Sequence, residues 1–258
     1  MLADYEKLLD EVHLTQDLYE KHLFEESTTS FRPEVLLAET ELGNPLGFAF
    51  SVRLSKTSIH LEDLFVDPVA RGKGVGISLL SSLASLAIEN GVNELQWNCL
   101  DWNQPSIDFY HSLGAVQVPN RLAYRITGES LFRDVGPFNR KNLEITSLHE
   151  SPEISMRHIP TGTVVVYSLS FTTFNGTPVI YVTDVRLDSG DTIPADVVNY
   201  LIHIAQEKGF SRVDVCMNTL AHSKAAENLI EEYGAIGMEG WIPFRLRDEP
   251  LRKLAKRT

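Results

Sequence analysis

The stretch LEDLFVDPVARGKGVG, residues 61–76, constrains this chain more than any other. An apolar, strand-like segment runs through a glycine-rich loop into a helix predicted from Ile77 to Glu89. Gly72, Gly74 and Gly76 lack a Cβ, so successive backbone N–H groups can turn toward one point. The N-terminus of the following helix adds its positive dipole end, which makes the loop a seat for a pyrophosphate. Arg71 and Lys73 place two cations beside it. The spacing fits neither a GxxxxGK loop followed by Ser or Thr nor a GxGxxG turn at the head of a βαβ unit, so the two common nucleotide loops are excluded.

Around this loop the first half reads as helices followed by alternating strands and helices. Leu2–Val12 is amphipathic, and Thr15 offers a hydroxyl cap to a second helix ending near Phe24. Strands are expected over 34–41, 47–54, 58–66, 92–100 and 122–126. Asn90-Gly91 closes the helix that follows the glycine loop. Asn103 is a good N-cap and Pro105 suits the first turn of a helix that runs to Gly114.

The second half repeats this order without the opening helices. IHLEDLFVD (59–67) aligns with IYVTDVRLD (180–188), SLGA (112–115) with EYGA (232–235), and AYRITGESL (123–131) with PFRLRDEPL (243–251). Matching segments lie about 120 residues apart. The order implies an internal duplication, with domains at 1–135 and 140–258 and a connector at 133–150. In the second copy Thr183 stands at the position of Glu62, the glycine loop is shortened to Asp188–Pro194, and the position of Tyr110 falls near Ile230. That copy is expected to be degenerate.

Arg-x-x-Gly-x-Gly between a strand and a helix resembles the acetyl-CoA loop of the GNAT N-acetyltransferase superfamily. Four stretches narrow the likeness to its diamine acetyltransferases, which acetylate spermidine, spermine or thialysine. These are LADYE at 2–6, GFAF at 47–50, residues 61–76, and WNQPSIDFYHSLGA at 102–115. The resemblance implies an α/β fold, a mixed and mostly antiparallel sheet flanked by helices, followed by a degenerate half-repeat. It also implies that the family's first strand would precede Leu2 and is missing here.

Acetyl transfer to an amine sets its own requirements. An alkylammonium has a pKa of about 10 and attacks only after losing a proton. The thioester carbonyl needs N–H donors, and the departing thiolate needs a weak acid. The resemblance casts Glu62 as the base, acting through water, and Tyr110 as the acid. Leu64, Phe65 and Val66 would contact the acetyl group and pantetheine arm. Arg71, Gly72, Lys73, Gly74, Val75, Gly76 and Ile77 would hold the pyrophosphate, and Asn103, Gln104, Pro105 and Ser106 would lie along the cofactor. Tyr5, Glu6, Asp63, Gln96, Trp97 and Asn98 would line the amine site, together with Glu62. Each has a plainer reading: Asn103 as a helix cap, Tyr110 and Trp97 as core aromatics, Glu62 as a solvated strand residue.

The resemblance has one departure. Polyamine acetylators carry an acidic pair before the Trp of their last strand, and that pair reads the distal ammonium. The segment before the expected strand at 122–126 is Gln117-Val118-Pro119-Asn120-Arg121, with a cation instead. This tilts the expected substrate from spermidine toward a shorter amine such as thialysine.

Charge agrees with a small cation as substrate. The net charge is −12, of which residues 1–135 carry −10. An acidic first half repels phosphate backbones and anionic lipid, so neither nucleic acid nor membrane is an expected partner. Cys99 and Cys216 lie in apolar stretches, which predicts buried thiols and a cytoplasmic setting. The N-terminus is acidic and amphipathic, unlike a signal peptide. No Cys/His cluster has ligand spacing and His60 reads as isolated, so no metal is expected. The chain is expected to work as a pseudo-dimer or a homodimer, the second copy serving as a built-in partner. The alternatives are a protein that binds acetyl-CoA or amine without turnover, and a peptide or histone N-acetyltransferase.

Overall fold

The computed structural model describes residues 33–147, 151–172 and 177–257. The segments where two opening helices were expected, with Tyr5 and Glu6, lie outside the described residues. In chain order the first elements are β1 (Pro33–Glu39), β2 (Pro45–Arg53), β3 (Ser58–Val66), α1 (Val75–Glu89), β4 (Glu94–Leu100), α2 (Gln104–Ser112), β5 (Val116–Gln117), β6 (Arg121–Thr127) and α3 (Glu129–Phe132). They continue with β7 (Leu143–Ser147), β8 (Glu153–His158), β9 (Val164–Thr172), β10 (Thr177–Arg186), α4 (Ala195–Lys208), β11 (Arg212–Asn218), α5 (Ser223–Tyr233), β12 (Ile236–Gly237), β13 (Trp241–Arg247) and α6 (Asp248–Ala255). The expected strand at 58–66 forms with its expected ends. Helix α1 starts two residues before Ile77, because Gly74, at φ 89°, turns the chain into it as N-cap.

Two compact units result. Among described residues the first takes 33–118 and 240–257, and the second takes 119–239. The first unit's sheet has the order β1-β2-β3-β4-β13-β5, and the second's has the order β12-β6-β11-β10-β9-β8-β7. Each is antiparallel except for one central parallel pair, β3 with β4 and β10 with β11. Both are mixed sheets flanked by helices, as expected.

The units do not follow the two sequence halves. The expected last strand of the first half does form, as β6, but it pairs with β11 from Arg121↔Asn218 to Thr127↔Arg212. Its place in the first unit belongs to β13, which pairs with β4 from Trp241↔Leu100 to Arg247↔Glu94. The physical reason lies in the three residues between β5 and β6. They do not fold back as a hairpin: Val118 N donates to Pro243 O at 2.8 Å, and Asn120 O accepts from Thr219 N at 2.8 Å. Pro119 between them has no N–H to give a ladder.

The first unit's core forms where α1, α2 and α6 cover one face of its sheet. Leu79, Leu80, Leu83, Ala84 and Ala87 of α1 pack with Ile59, Leu61, Leu95, Trp97, Phe244, Leu251 and Leu254. The last three come from the C-terminal segment. Burying a side chain such as Phe244, 1% exposed, is worth about 2–3 kcal/mol. Ser81 Oγ and Ser85 Oγ donate to Leu254 O (2.7 Å) and Ala255 O (2.9 Å), which fixes α6 against α1.

Candidate active site

The site is built on an irregularity of β3. Phe50 pairs with Asp63, but the next residue, Ser51, pairs with Leu61, so Glu62 is the extra residue of a β-bulge. The bulge resets the side-chain alternation. Ile59 and Leu61 join the core before it, and Leu64 and Val66 pack against the same core after it. Just before the bulge β3 also leaves its parallel neighbour. The pairing with β4 runs only from Ser58↔Glu94 to His60↔Gln96, and from there the two strands part. The base candidate therefore stands where the sheet opens, with its carboxylate 3.5 Å from His60 Nε2. Phe65, beyond the bulge, stacks on Phe48 at 5.8 Å and is half-exposed.

Strand β3 leads directly into the glycine loop. Asp67 caps a 3-10 turn at Pro68–Ala70 by accepting from Val69 N at 2.9 Å. Arg71 Nε donates back to Val66 O at 3.0 Å, so Arg71 braces the loop against the end of the strand. Gly72 and Gly74 have φ of 73° and 89°, and a Cβ at either would meet nothing within 4 Å. Gly74 offers no side-chain cap to α1. The first N–H groups of this 15-residue helix thus face outward from a turn with a free approach. Lys73, Val75, Gly76 and Ile77 complete the cradle, and a Cβ at Gly76 would come to 3.5 Å from the Phe109 ring. The residues fit a diphosphate.

Helix α2 supplies the acid candidate. Asn103 caps it, its Oδ1 accepting from Ser106 N at 3.4 Å, and Gln104 Nε2 donates to Asp108 Oδ1 at 2.7 Å. Pro105 occupies the first turn as expected. Tyr110 is buried between Trp97 (ring centroids 4.9 Å apart), Phe244 (5.4 Å) and Phe109 (5.5 Å). Burial, then the neighbouring Cys99 and Asp63, push its phenol well above the ordinary tyrosine range. Tyr110 therefore keeps its proton, and Asp63 is close enough to act on it.

Two expectations need correction. Trp97 was expected to line the amine site with Gln96 and Asn98, but strand alternation puts it on the opposite face. Leu95, Trp97 and Cys99 are buried in the core, whereas Glu94, Gln96 and Asn98 share the other face. Trp97 is 2% exposed, and its indole N–H meets no acceptor among the described residues. Gln96 Nε2 donates to Glu94 Oε1, and Glu94 Oε2 is held by Arg245 Nε at 3.0 Å.

The second correction concerns the departure at 117–121. Strand exchange takes Arg121 into the second unit, where its Nη2 donates to Thr183 O at 3.1 Å. The strand at the corresponding place in the first unit is β13, which opens on Trp241 and follows Glu239-Gly240 in sequence. Glu239 itself belongs to the second unit, and the first unit resumes at Gly240.

The second unit shows what the site becomes without its chemistry. Its β10 has the same bulge, with Thr183 as the extra residue, and β10 leaves β11 after Val182↔Val215. Tyr181 stands at the position of His60 and accepts from the Cys216 thiol at 3.0 Å. Asp214 is gripped by Arg125 (2.8 and 3.0 Å) and Arg212 (2.9 Å). Burial raises the Asp214 carboxyl's pKa, and the two guanidiniums more than reverse that, so it ends below its usual range.

Sequence reasoning missed three contributors: His60 beside Glu62, and Phe244 and Arg245 from the C-terminal strand. The His60–Glu62 spacing of two was a visible signal, because such residues share a strand face. No local signal pointed to Phe244 or Arg245.

A strand that bulges at a carboxylate, parts from its parallel neighbour and ends in a glycine turn at a helix N-terminus is the arrangement that the resemblance to GNAT acetyltransferases implies. The Acetyltransferase (GNAT) family model matches residues 2–115, a span that holds the bulge, the loop and α2. A thialysine N-epsilon-acetyltransferase of Bos taurus is 32% identical over 141 residues, covering 50% of this chain and 83% of that one. A peptidyl-lysine N-acetyltransferase of Salmonella typhimurium is 30% identical over 149 residues, 55% of this chain and 88% of that one. A solved tandem GNAT protein from the clavulanic acid biosynthesis pathway aligns over 95% of both chains at 12% identity, with a TM-score of 0.48. The chain belongs to the GNAT acetyltransferase family and is an N-acetyltransferase.

Proposed function

We propose that the first unit transfers the acetyl group of acetyl-CoA to the primary amine of a small cationic amine: a diamine, a polyamine or a thialysine-like amino acid. One observation carries this reading. The carboxylate of Glu62 sits at the bulge where β3 and β4 part, on the strand that runs straight into the glycine loop. The bulge and the loop place base and phosphate seat on one continuous stretch, Glu62 standing ten positions before Gly72.

The bound cosubstrate supplies an activated acetyl thioester. The chain's own groups do the rest. Gly72 through Ile77 and the α1 N-terminus hold the diphosphate, while Asn103–Ser106 border the cofactor's path. Glu62 takes the ammonium proton through a water, freeing the nitrogen lone pair for attack. Backbone N–H groups on the opened edge of β3, over Leu64–Val66, meet the charge that develops on the carbonyl oxygen. Tyr110, held protonated by its burial, donates to the departing sulfur. Asp63 favours the cationic acceptor nearby, and Gln96, Asn98 and Trp241 border the amine.

Arg121 pairs within the second unit's sheet, so it gives no ground for excluding a second ammonium from this site. We therefore include spermidine-length amines beside thialysine. A second reading, acetylation of lysine in peptides, draws on the acidic first half and on the Salmonella relative. Free buried thiols at Cys99 and Cys216 suit a reducing, cytoplasmic setting. Among the described residues no helix is long and apolar enough to cross a membrane.

The test is acetyl-CoA thiol release across thialysine, ornithine, spermidine and a lysine peptide, compared as kcat/KM. The proposal predicts that a free small amine leads. A peptide ahead of all of them by tenfold would replace it with the second reading.

A further inference from the structure

We propose that His60 serves the reaction through Glu62, holding the carboxylate in place and accepting the proton it collects. This rests on the assignment of Glu62 as the base. His60 Nε2 lies 3.5 Å from Glu62 Oε2, and the two side chains are only 8% and 10% exposed. A carboxylate withdrawn from water needs a compensating partner, and His60 becomes one when the collected proton reaches Nε2 and leaves an imidazolium beside it. Both residues belong to β3, so the strand and its bulge set their approach with little side-chain freedom to lose. A separation of 3.5 Å is longer than a hydrogen bond, which leaves room for the pair to close as a proton arrives.

The proton count is simple. The ammonium N–H bond breaks and the proton passes through water to the Glu62 carboxylate. The Glu62 O–H bond then breaks as Nε2–H forms on a neutral imidazole whose own hydrogen is on Nδ1. The product is a neutral amine and an imidazolium beside a restored carboxylate. No electrons change hands, and the imidazolium returns its proton to solvent after turnover. His60 is thus a positioning and relay residue, not a group that touches the substrate.

The second unit supports the pairing independently. Its sheet keeps the strand order, the bulge and the parting of the parallel pair, yet both positions are changed together, to Tyr181 and Thr183. Tyr181 turns to Cys216 for its hydrogen bond.

The test uses the full chain with His60→Gln and, in parallel, Glu62→Gln. Acceptor amines of falling basicity are assayed at one pH with saturating acetyl-CoA. His60→Gln should lower kcat about tenfold or more toward an alkylamine that is protonated at the assay pH. Its effect should be several times smaller toward a weakly basic amine that is already neutral, and the KM for acetyl-CoA should not move. Equal losses for both amines, or no loss, would make His60 a packing residue and overturn the inference. If Glu62→Gln is fully active on the basic amine, the base assignment itself falls. If Glu62→Gln loses that activity and His60→Gln keeps it, only the present inference falls. Should His60→Gln melt below assay temperature, His60→Asn decides by the same criteria.

Discussion

Glu62 and Thr183 stand at the same bulge in two sheets of the same strand order, and a hydroxyl there cannot take a proton from an ammonium at neutral pH. The residue scale is where the two units diverge in chemistry. Tyr110 is proposed to work with Glu62: its raised pKa keeps the phenol protonated at neutral pH. Tyr110→Phe should lower kcat about a hundredfold while the Kd for acetyl-CoA stays within about twofold of the parent, as titration calorimetry would show. Loss of binding with turnover intact would make Tyr110 a core residue only. Tyr110 also has a stability signature. Its folded value lies above its unfolded value of 10.0, so its contribution is full below that pH and is lost as pH rises past it. Tm should fall between about pH 9 and 11, and less steeply in Tyr110→Phe. The cap Asn103, and the places of Glu62 on a strand and Tyr110 on a helix, were legible in the sequence because a motif and local spacing specify them. Trp97 was misplaced because residue type alone does not say which strand face it takes; its neighbours Leu95 and Cys99, both apolar, carried that information.

At the scale of elements, the glycine loop and α1 are the most local structure in the chain, and they formed as read. Gly74 adopts φ 89° with open space around it, so substitution there is opposed by the backbone rather than by a clash. Gly74→Ala should cost about 1–2 kcal/mol in urea unfolding and raise the KM for acetyl-CoA by tilting the first N–H groups of α1. An unchanged KM would remove the loop from cofactor binding. In the second unit the central strand depends on Asp214 between two guanidiniums. Its depressed pKa means that this support is present above the ordinary carboxylate value and fades as pH falls below it. Asp214→Asn should destabilise by about 3–5 kcal/mol, because Arg125 and Arg212 would be left in a buried site without their shared carboxylate. A Tm within a degree or two of the parent would show that the network is replaceable. Strand ends other than those of β3 drifted from the reading by up to two residues, since hydrophobic pattern fixes a strand's centre and the partner's register fixes its ends.

Over the whole molecule, the arrangement that sequence alone could not reveal is the exchange of β6 and β13. The two segments align with each other, so either fits either sheet by pattern; which one pairs is decided by a three-residue connection and by contacts 85 to 153 residues away in sequence. The exchange makes residues 240–257 part of the catalytic unit, through Phe244 against Tyr110 and α6 against α1. A chain ending at Glu239 should therefore be insoluble or inactive, and so should a fragment of residues 1–138. A chain joining 1–118 to 240–258 through a flexible linker should regain amine-dependent activity; activity in 1–138 and none in the joined chain would contradict the exchange. The claim on which all of this rests is that the first unit deprotonates and acetylates a small amine with Glu62 as base. Its most direct test is the amine-dependent release of CoA thiol by the full-length protein at neutral pH, in parent and Glu62→Gln side by side. The account predicts release with a small primary amine that falls at least tenfold in Glu62→Gln and recovers in part as pH is raised. Equal rates in the two proteins, with the same pH profile, would contradict it.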